Sequence, residues 1–318
     1  MFKALLIPSL LLCFLACTAT TPLEGPFRLT TEGVENTSIE GATLALHPVV
    51  FADGIRFETD PCTVKGHKAT CPASNIGFVH LEVTGEVLNL RFEAEKACTL
   101  NGMGLEGHVI LKGATSWLSN GYQSLSQSGM IALGPEPDPE ELQEDLLAMG
   151  DHEALRDGRH HSWWYTLAGG GAENLVMGAI EAKVFKSWIS LSEENDQIAI
   201  RAISGAVGEA IPMEAGDVIH ADPWFIALGA NSHELLETYA TQIPTRSNPN
   251  ILPQTGWNSW YELGDTVREE DIHANATAVR ELYEHYEISQ SLRIVIDDGW
   301  QVAWGDWTPN EKFPSGLD

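Results

Sequence analysis

Residues that favour turns recur at short, regular intervals through the first three quarters of this chain. From about Leu23 to Ile243, a Gly, Pro, Asn or Asp interrupts the sequence roughly every eight to twelve residues. Between these interruptions, residues 88–94 alternate apolar and polar side chains, which is typical of a half-buried strand. Many short strands with frequent turns predict a large antiparallel β-sandwich. The runs that we predict as strands are 42–50, 76–83, 86–94, 108–112, 163–167, 175–192, 197–203 and 217–228.

One glycine-rich segment fits a dinucleotide-binding fingerprint by its letters alone. Residues 102–107 have the spacing Gly-x-Gly-x-x-Gly, but they precede the predicted strand 108–112 instead of opening a helix. A dinucleotide site needs a helix directly after the glycines, because the helix N-terminus holds the pyrophosphate. We therefore predict a hairpin turn at this position.

The N-terminus has the pattern of an export signal. Lys3 precedes an apolar run over residues 4–15, which is too short to span a bilayer. The run ends in Phe-Leu-Ala-Cys at residues 14–17, which resembles a bacterial lipobox with Cys17 as the lipidated residue. The alternative is ordinary cleavage after Ala19. Both interpretations predict an exported protein, in the periplasm or at the cell surface, and the lipobox adds a lipid anchor.

The net charge of the chain limits its partners. With 45 acidic and 18 basic residues, the formal net charge is −27 and the pI is about 4.6. Nucleic acids and anionic membrane surfaces would be repelled by such a protein. An uncharged ligand such as an oligosaccharide is compatible with this charge.

The cysteines also fit an oxidising compartment. Cys62 and Cys71 flank a predicted hairpin tip, and a disulfide between them would stabilise the fold by roughly 2–3 kcal/mol on the entropic model. Cys98 would remain free. A zinc site from Cys62, His67 and Cys71 is the alternative, although one short cluster without a second pair of ligands is a weak signal.

The sequence pattern changes after a proline-rich boundary, which we place at residue 248/249. Just before it, residues 231–234 (Asn-Ser-His-Glu) predict an N-capped helix that ends near Thr241. After it, residues 252–256 and 292–296 predict parallel strands, the second buried on both faces. Between them, residues 266–269 form a predicted capping box, and the apolar residues that follow have helical spacing. Strand, helix and strand together predict a βαβ unit.

Two adjacent carboxylates and a tryptophan follow the second predicted strand. In a β/α barrel the functional groups lie at the C-terminal ends of the strands, so Trp257, Asp297 and Asp298 would share one rim. Carboxylates accept hydrogen bonds from sugar hydroxyls, and an indole ring covers the C–H face of a pyranose. Consecutive carboxylates approach a sugar from one side, whereas cleavage with retention needs two carboxyls about 5–5.5 Å apart across the bond. We therefore predict that Asp297 and Asp298 bind sugar; the alternative is that they cap a turn.

The motifs of this region together resemble one enzyme family. Residues 256–260 (Gly-Trp-Asn-Ser-Trp), 297–300 (Asp-Asp-Gly-Trp), 305–307 (Gly-Asp-Trp) and 312–317 (Lys-Phe-Pro-Ser-Gly-Leu) are similar to glycoside hydrolase family 36, the melibiase-type α-galactosidases. The resemblance implies an N-terminal β-supersandwich before a catalytic (β/α)8 barrel, and hydrolysis with retention without a metal or organic cofactor. It also implies that Asp297 and Asp298 bind the galactose O4 and O6 hydroxyls, and that Trp257 packs on the sugar, with Trp300 in the same substrate-binding motif. The family's nucleophile and acid/base match no residue up to Asp318.

The sequence thus predicts a multidomain exported hydrolase. We expect a signal peptide over residues 1–17, a β-sandwich over 20–248, and an incomplete (β/α)8 TIM barrel that begins with one βαβ unit over 249–318. The expected function is removal of terminal α-linked galactose from oligosaccharides, with this chain as a fragment that is inactive alone. The alternatives are a non-catalytic carbohydrate-binding protein, a hydrolase for another α-glycoside such as an α-N-acetylgalactosaminide, and a structural sandwich with a barrel remnant.

Overall fold

The computed structural model describes residues 26–36, 42–122, 126, 128–149, 158–195, 197–244 and 254–317. The chain divides into two compact units between Pro244 and Thr245. The predicted signal peptide with Cys17 and the predicted boundary at 248/249 lie outside the described residues. Within the described ranges, each helix is too short or too polar to span a bilayer.

The first unit consists almost entirely of β-strands. Among the residues that the structure describes there, two helices accompany them, α1 (Pro139–Met149) and α2 (Ser232–Gln242). The strands are β1 (Phe27–Thr30), β2 (Gly33–Asn36), β3 (Ala42–Ala52), β4 (Ile55–Glu58), β5 (Thr63–Lys65), β6 (Lys68–Ala73), β7 (Gly77–Thr84), β8 (Val87–Ala94), β9 (Cys98–Leu111), β10 (Ser116–Ser119), β11 (Gly129–Ala132), β12 (Ser162–Trp163), β13 (Tyr165–Gly169), β14 (Asn174–Ala179), β15 (Ser187–Glu194), β16 (Gln197–Gly205), β17 (Ile211–Met213), β18 (Val218–His220) and β19 (Trp224–Gly229).

These strands form two large antiparallel sheets. The nine-stranded sheet has the order β1-β2-β3-β9-β16-β15-β12, with β4 on β3 and β17 on β9. The ten-stranded sheet has the order β11-β10-β13-β14-β19-β8-β7-β6-β5, with β18 on β8. One buried cluster contains side chains of both sheets, including Leu44 and Val109 from the first and Leu90 and Phe92 from the second. The predicted β-sandwich is therefore confirmed.

Strand β8 shows how the sequence pattern produces this core. Leu88, Leu90 and Phe92 are buried, whereas Asn89 is exposed and Arg91 is half-buried. Successive side chains of a strand point to opposite faces, so the polar residues lie on the outer face of the sheet. The period of two seen in the sequence is thus the period of burial.

The glycine-rich segment 102–107 is part of a strand, so the predicted hairpin turn is wrong. It lies in the middle of β9, which pairs with β3 on one side and β16 on the other. A Cβ atom on Gly102 would lie 2.6 Å from the Ser204 carbonyl oxygen, and a Cβ on Gly104 would overlap the backbone of Ala202. Glycine within a strand marks close backbone approach as well as turns, and here the neighbouring strands require it.

Three of the predicted strands are each divided into two. The predicted strand 163–167 comprises the end of β12 and the start of β13, which belong to different sheets. The predicted strand 175–192 comprises β14 and β15, which belong to different sheets, and 217–228 comprises β18 and β19. The carboxylate of Asp222 lies between β18 and β19 and is buried. It accepts hydrogen bonds from the backbone N–H groups of Lys183, Val184 and Phe185 at 2.9–3.2 Å. One side chain thereby satisfies the backbone of the connection between the sheets, which sequence periodicity alone does not indicate.

The second unit contains the predicted βαβ arrangement. Its elements are β20 (Thr255–Asn258), α3 (Trp260–Leu263), a 3₁₀ turn (Gly264–Thr266), α4 (Glu269–His285), β21 (Leu292–Val295), β22 (Gln301–Ala303) and β23 (Asp306–Pro309). Strands β20 and β21 are parallel, with Trp257 opposite Ile294, and α4 connects them. The first strand is described two residues beyond its predicted end, and residue 252 lies outside the described residues.

The burial of β21 differs from the prediction. Leu292 and Ile294 are half-buried, whereas Arg293 and Val295 are exposed, so the strand is not buried on both faces. Helix α4 packs against this strand pair. Within residues 254–317, no second layer covers the other face of the strand pair. Burial along β21 therefore alternates from residue to residue, as in a sheet that is covered on one face only.

The two predicted helix caps have different outcomes. Asn231 caps α2 as predicted, because its side-chain oxygen accepts hydrogen bonds from the backbone N–H groups of His233 and Glu234. Thr266 does not cap α4. That helix begins at Glu269, and the carboxylate of Asp271 accepts a hydrogen bond of 2.9 Å from the backbone N–H of Arg268, its N-cap residue.

Candidate functional site

The ends of the two parallel strands carry the predicted carboxylates. Because Asn258 pairs in register with Val295, the residues that follow each strand meet at the same edge. Asn258 Nδ2 donates a hydrogen bond of 2.9 Å to Asp297 Oδ2. The backbone N–H of Asp297 donates to the hydroxyl of Ser259, which is fully buried. Asn258 and Ser259 therefore hold Asp297 at the end of β21.

The neighbouring carboxylate is held by the residues that follow it. Asp298 Oδ1 accepts hydrogen bonds from the backbone N–H of Gly299 and from Gln301 Nε2, both at 2.7 Å. Asp298 Oδ2 accepts a hydrogen bond of 2.9 Å from the indole Nε1 of Trp304. The side chain of Asp298 is thus fixed by the adjacent Gly299 and by two groups of the β22–β23 hairpin.

Both carboxylates line an open cleft of about 580 Å³. Three tryptophans share it, namely Trp300, Trp304 and Trp307. The rings of Trp300 and Trp307 lie 5.6 Å apart at 59°, and Trp304 and Trp307 are 86% and 81% exposed. Clustered aromatic side chains with this exposure are typical of a surface that binds a ligand or another protein. The other lining residues are Val295, Ile296, Gln301, Gly305 and Asp306.

A polar residue at the base of the hairpin supports this cleft. Asn310 Nδ2 donates to the carbonyl oxygens of Gly299 and Gln301, at 2.8 and 3.0 Å, and its backbone N–H donates to the carbonyl of Trp300. The following Phe313 is 3% exposed. Asn310 thus anchors the hairpin that carries the tryptophans.

Hydrogen bonds lower the pKa of two carboxyl groups in the cleft, those of Asp297 and Asp306. The side chain of Asn258, and then the backbone N–H of Asp298, hold the pKa of Asp297 below its ordinary value. The pKa of Asp306 is lowered because its carboxylate accepts hydrogen bonds from Thr308. An ionised carboxylate has about four acceptor positions, of which Asp297 uses two and Asp298 three. Each retains acceptor capacity for the hydroxyl groups of a ligand.

Trp257 lies apart from these residues. By the alternation of side chains along β20, it shares a face with Thr255, whose hydroxyl accepts a hydrogen bond from Tyr283 of α4. It does not line the cleft. The structure therefore brings Asp297, Asp298 and Trp300 together and places Trp257 on the face of the sheet that carries α4.

Several residues of the cleft were not predicted from the sequence. Asn258, Gln301 and Trp304 each donate a hydrogen bond to a carboxylate, and Trp307 stands in the cleft. The occurrence of three tryptophans within residues 300–307 is the signal that indicates such a surface. Their pairing with particular oxygens depends on the hairpin and is not visible in that signal.

The cysteines lie in the first unit. The Sγ atoms of Cys62 and Cys71 are bonded to each other, so neither is available as a zinc ligand. Cys98 is a free, half-buried thiol whose pKa is raised chiefly by burial. Over the described ranges, no three His, Cys, Asp or Glu side chains are grouped so as to hold a metal ion.

The fold is similar to solved structures of α-galactosidases. TtGalA from Thermus thermophilus, in complex with p-nitrophenyl α-D-galactopyranoside, is 23% identical, with 77% of this chain and 44% of that chain covered and a TM-score of 0.44. A variant of the GH36 α-galactosidase AgaA from Geobacillus stearothermophilus, in complex with stachyose, is 13% identical, with 92% and 43% covered and a TM-score of 0.49. AgaB from the same organism is 12% identical, with 89% of this chain and 42% of that chain covered and a TM-score of 0.48.

This chain spans less than half the length of these structures. It is thus similar in structure to GH36 α-galactosidases over most of its own length, and theirs is the family that the motifs of residues 256–317 resemble. No protein-family model matches the sequence. The search of curated proteins found no match.

Proposed function

We propose that this protein is a glycoside hydrolase of the α-galactosidase type, and that Asp297 and Asp298 hold the terminal galactose of its substrate. The observation that carries the proposal is the cleft itself. Two adjacent carboxylates, each with unused acceptor positions, face the same space as three indole rings. Carboxylates that accept hydrogen bonds from hydroxyls, beside aromatic rings that cover C–H groups, suit a pyranose.

The two carboxylates bind the sugar and do not break the glycosidic bond. They follow one another at the end of one strand, so they meet a ring from the same side. Hydrolysis with retention requires a nucleophile and an acid/base about 5–5.5 Å apart on opposite sides of the bond. In the proposed enzyme those two groups come from further strands of a (β/α)8 barrel, which β20, α4 and β21 begin. The barrel and the retention of configuration are part of the proposal.

Export completes the proposed function. The pattern of Lys3, the apolar run and Cys17 supports a signal peptide with lipidation, and the bond between Cys62 and Cys71 suits an oxidising compartment. We place the protein in the periplasm or at the cell surface. Its substrate there is an oligosaccharide that ends in α-linked galactose.

Sugar binding to the 318-residue chain tests this proposal directly. Methyl α-galactoside, methyl α-glucoside and methyl α-N-acetylgalactosaminide are titrated against the chain, and the backbone and indole N–H shifts of Trp300 and Trp304 are followed by NMR. The expected result is a response to the galactoside that is lost in Asp298→Asn. Equal responses to galactoside and glucoside, or an unchanged response in Asp298→Asn, would contradict it.

Hydrolysis is a separate measurement. Release of galactose from an aryl α-galactoside and from stachyose is assayed for the 318-residue chain and for any longer product of the same reading frame. Turnover by a longer product with retention supports the hydrolase, and we expect none from residues 1–318. Binding without turnover by every product would identify a carbohydrate-binding protein, and a preference for the N-acetylgalactosaminide would change the substrate.

A further inference from the structure

The outer face of the ten-stranded sheet carries an ordered row of polar side chains. Registered pairing places Thr63 of β5 opposite Thr70 of β6, Thr70 opposite His80 of β7, His80 opposite Arg91 of β8, and Arg91 opposite His220 of β18. The side chains between them along these strands, such as Leu81 and Leu90, are buried in the sandwich. Five strands therefore contribute one line of side chains to the same face.

A second row lies beside the first. It contains Lys65, Lys68, Glu82 and Asn89, again paired strand by strand. The two rows line a depression of about 400 Å³, which we call the cationic trough. A volume near 400 Å³ is within the range of small-ligand sites and accommodates one or two sugar rings.

Positive charge is concentrated in this trough although the protein is strongly acidic. Lys65, Lys68 and Arg91 line it against one carboxylate, Glu82, with Glu93 at its margin, whereas the whole chain has a net charge of −27. Charges beyond about 8 Å are largely screened at physiological ionic strength, so a small ligand responds mainly to this local excess. An extended polyanion would meet the acidic remainder of the surface and be repelled.

The cations of the trough retain unused hydrogen-bonding capacity. Lys68 lies 3.3 Å from Glu82, which His67 also approaches at 3.3 Å. Lys65, directly opposite Lys68, forms no hydrogen bond or ion pair with any described residue. Like charges that face each other across a strand pair are unfavourable, and an anion between them relieves the repulsion. Arg91 approaches Glu93 only to 3.7 Å, which leaves its N–H groups available.

The centre of the trough is held in a defined geometry. His80 Nδ1 lies 3.0 Å from the Thr70 hydroxyl, and His80 Nε2 lies 3.1 Å from Glu93 Oε2. Burial, and then the neighbouring Arg91, lower the pKa of His80, so its imidazole is neutral at neutral pH. A neutral ring that accepts from Thr70 and donates to Glu93 satisfies both contacts. The row is therefore ordered before any ligand arrives.

We propose that the cationic trough binds an acidic saccharide, a short sugar that carries a carboxylate or sulfate on each ring. Lys65 binds one anionic group and Arg91, three strands away on β8, binds the other, whereas Thr63 and Asn89 supply hydrogen bonds to hydroxyls. Among the described residues that line the trough there is no Trp, Tyr or Phe, so these residues offer no ring on which a nucleobase stacks. This site shares no lining residue with the cleft at Asp297 and Asp298. The proposal therefore does not depend on the proposed hydrolase activity.

The test is an NMR titration of the chain with digalacturonate, its neutral methyl ester, and inorganic sulfate. The backbone amides of Thr70, His80 and Arg91 report on this trough alone. We expect a saturable response to digalacturonate that weakens as salt is raised, and little response to the ester. Lys65→Gln and Arg91→Gln should each weaken binding about tenfold, the effect of losing one charge-assisted hydrogen bond.

Lys96→Gln is the matched control, because it removes the same charge from an exposed side chain whose contact is Asn75, outside the trough. Its affinity for digalacturonate should equal that of the unmodified chain. If Lys96→Gln weakened digalacturonate binding as much as Lys65→Gln and Arg91→Gln do, the effect would come from the general charge of the protein, and the proposal would be overturned. No response at millimolar digalacturonate would also overturn it. Binding of the ester or of sulfate as tight as that of digalacturonate would show that the trough does not select an acidic sugar.

Discussion

Asn258 Nδ2 donates a hydrogen bond of 2.9 Å to Asp297 Oδ2 and joins the ends of two strands whose residues are 39 positions apart in sequence. The contact exists because β20 and β21 are parallel and in register, so both chains leave the sheet at the same edge. It orients the first carboxylate of the cleft and keeps it ionised.

Asn258→Ala should raise the pKa of Asp297 towards its ordinary value, because the largest contribution to its lowering is removed. A carboxyl group with a lowered pKa stabilises the fold when the pH is above its ordinary pKa of 3.8. This stabilisation disappears as the pH falls through the folded-state pKa. The stability difference between Asn258→Ala and the unmodified chain should therefore shrink on acidification below about pH 4. Carboxyl ¹³C NMR of Asp297 measures the pKa, with the exposed Asn75→Ala as control. An unchanged pKa in Asn258→Ala would contradict the assigned contact.

Asp297→Ala and Asp298→Ala should each weaken galactoside binding severely. Loss of the hydrogen bond between a sugar hydroxyl and a charged acceptor costs about 1.5–3 kcal/mol, which corresponds to a roughly ten- to hundredfold loss in affinity or in kcat/KM. Neither substitution should alter the retention of configuration in a protein that turns over substrate, because neither carboxylate is assigned to bond breaking. The measurements are titration with methyl α-galactoside and ¹H NMR of the released anomer. If both variants fold and bind as tightly as the unmodified chain, the two aspartates only cap a turn.

Trp304→Phe should weaken galactoside binding by about 1 kcal/mol, or roughly fivefold. The substitution keeps an aromatic ring but removes the Nε1–H that donates to Asp298 Oδ2. Trp307→Phe is the matched control on the same hairpin, since its Nε1 forms no hydrogen bond with a described residue. It should leave the position of Asp298 unchanged, as read from the amide shifts of Asp298 and Gly299. Equal shifts in both variants would mean that the hairpin, and not this hydrogen bond, positions the carboxylate.

Removal of the disulfide should destabilise the first unit. Replacing both Cys62 and Cys71 by Ala opens a loop that spans a sequence separation of 9, which corresponds to roughly 2–3 kcal/mol on the entropic model. Cys98→Ala is the control because that thiol is free. Urea denaturation followed by tryptophan fluorescence gives the free energy of unfolding. A double variant as stable as Cys98→Ala would show that the bond contributes nothing to the fold.

Patterns that depend on a few neighbouring residues were predicted well. The alternation in residues 88–94 reappears as alternating burial in β8, and the Asn231 cap forms as its sequence suggests. The Asp-Asp-Gly-Trp motif follows a strand, as the apolar run before it indicates. Periodicity and capping are set by the geometry of one strand or one helical turn, so the local sequence contains the information.

Other features were decided only by elements that meet in the folded protein. Gly102 and Gly104 have the letters of a turn, but the backbones of β3 and β16 on either side make them the centre of a strand. Asp222 lies in the break between β18 and β19, and it accepts a hydrogen bond from Lys183 in the β14–β15 connection, almost 40 residues away in sequence. Trp257 and Trp304 are both tryptophans near the same motifs, yet only Trp304 faces the carboxylates.

The amino-acid sequence by itself therefore determined the sandwich, the change to a parallel βαβ unit near residue 250, and the type of side chain at the ends of its strands. The tertiary structure alone decided which of those side chains meet, which sheet each strand joins, and where positive charge gathers in an acidic protein. The physical reason is that side-chain direction follows from local backbone geometry, whereas a contact between distant residues depends on register and strand order. Those are set by the packing of the whole core.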